Sequence, residues 1–166
     1  MEWRDITGET PLYTSARYNE LDDVKELLSM GADPNVKDYV GDPILFSVIT
    51  ENVDLNILTA LLLGGADPNI CNVYKFTALH EAVDLCKVNV VHILLRFGAD
   101  LELKDDGGRT PMYLINVKRN IPEIREISNE MCVMMRDYFP TLKDICLRTV
   151  ARNKVNIFMI PKDLYL

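Results

Sequence analysis

The sequence predicts an all-α solenoid of about four helix–turn–helix repeats followed by a short helical tail. Three observations carry that prediction. The tripeptide Gly-Ala-Asp recurs at Gly31-Ala32-Asp33, Gly65-Ala66-Asp67 and Gly98-Ala99-Asp100, spaced by 34 and 33 residues. Ahead of each copy lies a related stretch, GETPLYTSA from Gly8, GDPILFSVI from Gly41 and KFTALHEAV from Lys75, and a fourth, GRTPMYLIN from Gly108, keeps the register. Between stretch and tripeptide, apolar residues fall at helical spacing and run into glycine.

Each unit reads as turn, helix, helix, loop. Thr10-Pro11 and Thr110-Pro111 place a capping hydroxyl before a proline at the first helical position, where a missing N–H costs nothing. The first helix starts there and shows small or apolar residues on one face: Leu12 and Ala16, Leu45 and Ile49, Leu79, Ala82 and Val83. The second helices, LDDVKELLSMG, LNILTALLLGG and NVVHILLRFG, end on Gly31, Gly64-Gly65 and Gly98, where a left-handed terminal residue is required.

These residues resemble the ankyrin repeat, whose pattern runs G-x-T-P-L-H-x-A, then a second helix ending L-L, then G-A-D-x-N. The resemblance covers about residues 5 to 130. The second repeat departs from it with Pro43-Ile44 in place of Thr-Pro. The fourth has no Gly-Ala-Asp, and its second helix is expected to run on through IPEIREISNEMCVMMRDYF as a cap, because an end unit has no neighbour to bury its face.

Composition bounds the function classes. The chain has 166 residues, 48% hydrophobic and 26% charged, as in folded globular proteins. The start MEWRDITGET has neither a basic opening nor an apolar run. Cys71, Cys86, Cys132 and Cys146 show no C-x-x-C spacing and no N-x-S/T acceptor is present, so free thiols and an intracellular setting, cytoplasmic with the nucleus also open, are expected. Net charge is −7, divided unevenly: from Thr141 onward five basic residues face two acidic ones, against 13 and 23 before it. The acidic body disfavours nucleic acid and anionic membrane as partners.

The stack offers little chemistry. HEAVD, at His80 to Asp84, holds half of a helical zinc motif and lacks its second histidine. The ankyrin resemblance implies a structural ring instead, tying one repeat's turn to the next. His92 has no cysteine or carboxylate at ligand spacing, and Cys86 stands where the family prefers glycine at the end of the first helix. No phosphate-cradling glycine motif occurs. A non-catalytic protein without cofactor or metal is expected.

What a repeat stack presents is a concave surface of turn tips and first helices. The register puts Tyr18, Tyr39, Asp42, Glu51, Val73, Tyr74, Phe76, Leu85, Asp106, Arg109 and Lys118 there. Aromatics dominate binding energy at protein interfaces. A target-binding face built on Tyr18, Tyr39, Tyr74, Phe76 and Arg109 is therefore expected.

Phe139-Pro140 breaks the capping helix, and the ankyrin array is accordingly assigned to residues 5–140 and a tail to 141–166. In the tail, Leu142, Ile145, Cys146, Thr149 and Val150 form one apolar stripe at helical spacing. Thr141-Leu142, Cys146 and Val150 resemble the first element of a SOCS box, [S/T/P]-L-x-x-x-[C/S/A]-x-x-x-[I/L/V]. That resemblance implies docking on Elongin C, and with it Elongin B, through Leu142 as anchor and Ile145, Cys146 and Val150 beside it. FMIPKDLYL, Phe158 to Leu166, is similar to the family's later element and implies a cullin-facing set at Ile160, Pro161 and Leu164, with Met159 standing where the first proline of that element is expected. The expectation is a substrate adaptor of a ubiquitin ligase. The alternative is a plain ankyrin interaction module or an inhibitor resembling the cytoplasmic ankyrin inhibitors of transcription factors.

Overall fold

A computed structural model of the chain describes residues 3–50, 54–118 and 125–137. Among these residues eight helices pair in chain order: α1 (Pro11–Arg17) with α2 (Leu21–Ser29), α3 (Ile44–Thr50) with α4 (Leu55–Leu63), α5 (Ala78–Asp84) with α6 (Val88–Arg96), and α7 (Pro111–Lys118) with α8 (Arg125–Asp137). The helix expected from Ile121 to Phe139 is described over α8, and its flanking residues lie outside the described ones.

The first helices start as their sequence requires. Thr10 Oγ1 accepts the Tyr13 amide at 3.3 Å, with Pro11 following, and Thr110 Oγ1 accepts the Tyr113 amide at 3.2 Å. Thr77 and His80 cap α5 reciprocally, the hydroxyl taking the His80 amide and the ring taking the Thr77 amide. The second repeat has no such hydroxyl, because Pro43 occupies the place of the threonine.

The second helices end in one repeated way. Beyond α4, the Gly65 amide donates to the Leu62 carbonyl and the Ala66 amide to the Leu61 carbonyl. This double closure satisfies carbonyls the helix leaves open and needs a residue at positive φ, supplied at 98° by Gly65. The same pair of bonds closes α2 at Gly31 and α6 at Gly98.

Two helical layers result. α1, α3, α5 and α7 stack side by side as the inner layer, and α2 on α4 and α6 on α8 form the outer one. The core lies between them: Leu12, Leu79, Ile57, Leu58, Leu61 and Leu94 are all fully enclosed, and Met131 and Met135 of α8 close its far end. Each fully buried leucine contributes about 1.5–3 kcal/mol. Ala16 and Ala82 keep the inner helices close, so the turns before them project from one side as a row of tips.

Repeats are also stapled by side chains. Asn35 accepts the Asp67 amide at 2.7 Å and donates to the Gly65 carbonyl at 3.2 Å; Asn69 does the same to Asp100, at 2.7 Å, and Gly98, at 3.1 Å. Each asparagine thus reads the Gly-Ala-Asp of the next repeat. At the corresponding place in the third repeat stands Glu102, and the fourth repeat has no Gly-Ala-Asp to receive a staple.

Candidate functional site

The tips are built on Asp5, Asp38, Asn72 and Asp105, which recur with the repeat period. Asp38 Oδ1 accepts the amides of Gly41 and Asp42, each at 2.9 Å, and Asn72 Oδ1 accepts those of Tyr74 and Phe76 at 3.0 and 3.1 Å. Asp5 accepts the Thr7 hydroxyl and two amides, and the Thr7 hydroxyl above all holds its carboxyl below the ordinary value. Burial opposes ionisation of Asp105, but bonds from the Arg109 amide and guanidinium outweigh it and hold that carboxyl low as well. A charged or amide oxygen folds each tip over itself and leaves its outermost side chains facing solvent.

Neighbouring tips touch. The Tyr39 amide donates to the Thr7 carbonyl and the Asp106 amide to the Tyr74 carbonyl, at 2.9 and 3.0 Å. The Tyr39 ring lies so close over Gly8 that a Cβ there would come within 2.6 Å of it, and Val73 lies over Gly41 with 2.7 Å to the same imagined atom. At the next step Lys75 replaces the glycine, and Asp106 meets it through an ion pair of 3.2 Å. The outer edge of the first three tips is consequently one continuous apolar ridge, with Ile6, Tyr39, Val40, Val73 and Tyr74 between 60% and 96% exposed. The fourth tip is polar.

The five residues expected to bind a target are placed as follows. Tyr39 and Tyr74 sit on the ridge. Tyr18, exposed, follows the last turn of α1. Phe76 is half-buried, its ring 4.9 Å from that of His80. The Arg109 guanidinium is exposed but bound to Asp105 at 2.8 Å, folding its own tip. Ile6 and Val40 escaped the sequence reading, although the register places them beside Thr7 and Tyr39. Leu142, Ile145, Cys146, Val150, Ile160, Pro161 and Leu164 lie outside the described residues.

The remaining candidates are structural. The His80 ring is enclosed between Thr77 and the Arg109 carbonyl, and its burial lowers its affinity for a proton. Among the described residues no group of three or more His, Cys, Asp or Glu is placed to hold a metal ion, and no helix is long and apolar enough to cross a membrane. Cys71, Cys86 and Cys132 are half-buried and none of the three is in a disulfide.

A ridge of tips over a layer of short inner helices defines a scaffold for binding other proteins. Comparison with known families agrees: a model of three ankyrin repeats matches residues 45–125 and a single ankyrin repeat matches residues 7–39. The chain belongs to the ankyrin-repeat proteins, whose repeats are non-catalytic interaction modules. It is 31% identical over 143 residues to the neurogenic locus notch homolog protein 1 of Danio rerio, covering 66% of this chain and 6% of that one. It is 32% identical over 127 residues to the B-cell lymphoma 3 protein homolog of Mus musculus, covering 75% and 28%. A glycerophosphocholine phosphodiesterase, gde1 of Schizosaccharomyces pombe, shares 30% over 105 residues, covering 62% and 9%. The chain thus spans a small part of each of these relatives.

Proposed function

We propose that this ankyrin protein is the substrate-recognition adaptor of an Elongin B/C–cullin–RING ubiquitin ligase in the cytoplasm. The observation that carries the reading is the run from Thr141 to Val150, which meets the SOCS-box pattern at Thr141, Leu142, Cys146 and Val150 and comes directly after the repeats. Leu142 fills an apolar pocket of Elongin C, Cys146 lets the helix approach closely, and Ile145 and Val150 line the contact. Such a plug concentrates binding energy in a few central side chains. Ile160, Pro161 and Leu164 face the cullin.

The adaptor performs no bond chemistry. Holding a target on the ridge beside a ubiquitin-loaded enzyme turns a bimolecular encounter into an effectively intramolecular one. Tyr39 and Tyr74 supply the aromatic contacts for that target. The test is co-purification from cells: the wild-type chain brings down Elongin C, and Leu142→Ala loses it. If the wild type brings down none, the chain is a free-standing ankyrin interaction module.

A further inference from the structure

α7 is apolar on two sides. Leu114 and Ile115 belong to the core, at 9% and 1% exposure, while Tyr113 and Val117, one turn apart, are 53% and 49% exposed. A helix that is hydrophobic all round is ordinarily covered all round. The repeat register shows which cover this one lacks. Tyr13, Phe46, His80 and Tyr113 each stand three places after the position of the capping threonine. Tyr13 and His80 reach forward into the next repeat, to Asp38 and to the Arg109 carbonyl, and both are buried, as is Phe46. Three places further on, Ala16, Ile49 and Val83 are fully buried, whereas Asn116 at the same place is exposed. Tyr113 and Asn116 thus face the side on which the first helix of a following repeat would stand.

Topology points to the segment that fills that place. α3 packs on α1, α5 on α3 and α7 on α5, so each inner helix is covered by the next one in the chain. After α8, the next stretch with an apolar stripe at helical spacing is Leu142, Ile145, Cys146, Thr149 and Val150, which lies outside the described residues. The chain from Asp137, where α8 ends, to Leu142 reaches about 17 Å when extended, against about 8–10 Å between the axes of packed helices. As a helix, Leu142 to Val150 would rise about 12 Å, the length of α7. We propose that in the free chain this segment docks on the exposed face of α7, its stripe laid over Tyr113 and Val117 in the manner of the first helix of a fifth repeat. One consequence rests on the adaptor reading: the side chains that cover α7 are those that enter Elongin C, so the two sites compete for one stripe, and Elongin C captures the chain only while the segment is off α7.

The test is hydrogen–deuterium exchange of the full chain, without Elongin. The amides of residues 145–150 are expected to exchange at least about tenfold more slowly in the wild type than in Tyr113→Ser with Val117→Ser, while the amides of α3 to α6 keep their rates and show the array intact. Leu142→Ser breaks the same contact from the other side and is expected to speed exchange over 145–150 equally. If serine at 113 and 117 loosens α3 to α6, Leu142→Ser alone decides. Unprotected exchange over 145–150 in the wild type, or protection that survives these substitutions, would overturn the proposal. Protection lost on dilution, together with a dimer in sedimentation, would assign the α7 face to a second copy and overturn it too. The competition is read separately, by titration with Elongin B–Elongin C complex: Tyr113→Ser with Val117→Ser should bind about tenfold more tightly than the wild type, and equal affinities would overturn the competition. Binding by neither chain would remove the adaptor reading alone, since the exchange measurement involves no Elongin.

Discussion

His80 Nε2 lies 3.0 Å from the carbonyl oxygen of Arg109, 29 residues later in the chain. Its Nδ1 accepts the Thr77 amide, so the ring proton sits on Nε2 and donates across the boundary between the third and fourth repeats. At the same place in the first repeat, Tyr13 donates to Asp38 at 3.3 Å, bridging to the second tip. The second repeat carries Phe46, which packs but cannot donate.

A neutral, enclosed His80 makes stability depend on pH. Its affinity for protons is lower in the folded state than the unfolded value near 6.5, chiefly through burial. The unfolded chain therefore binds more protons as pH falls below that value, and stability declines until the folded-state value is reached. Urea melts between pH 7.5 and 5 should show this loss. His80→Leu should flatten that window and lower stability at neutral pH by about 2 kcal/mol, because Thr77 and Arg109 lose their partner.

The asparagine staples should be unequal to their counterpart in the third repeat. Asn69→Ala removes two bonds to the next loop and is expected to cost about 1–2 kcal/mol in denaturant melts, as is Asn35→Ala. Glu102→Asn restores the repeat pattern where there is no loop to receive it, and should shift stability by less than about 0.5 kcal/mol.

Cys86 holds φ at 54°, a backbone state that costs a side chain about 1 kcal/mol. Cys86→Gly should raise stability by about that amount in thermal melts. Gly41→Ala should do the reverse and more, since φ is 93° and the new methyl would meet Val73. A loss of about 2 kcal/mol is expected, with a ridge disturbed at the second and third tips.

Much of this was visible in the sequence because repeats convert local chemistry into a periodic signal. The glycines at 31, 65 and 98 and the threonines at 10, 77 and 110 are needed by backbone geometry that can be inferred one residue at a time. Tyr39 and Tyr74 follow from register alone. The role of Arg109 does not, because whether a guanidinium faces solvent or folds back on Asp105 depends on the shape of its own tip. Phe76 shares its register position with Glu9 and Asp42, and only the packed structure turns its ring toward His80. Sequence spacing carries the identity of neighbours along a helix, but not the pairing of side chains between repeats.

The most direct measurement is titration calorimetry of purified Elongin B–Elongin C complex into the purified full-length chain, alongside its Leu142→Ala variant. Saturable one-to-one binding by the wild type, weakened at least about a hundredfold in the variant, is the predicted result. Heats no greater than dilution for the wild type, or equal affinity for both, would contradict the adaptor account and leave an ankyrin scaffold whose tail serves another purpose.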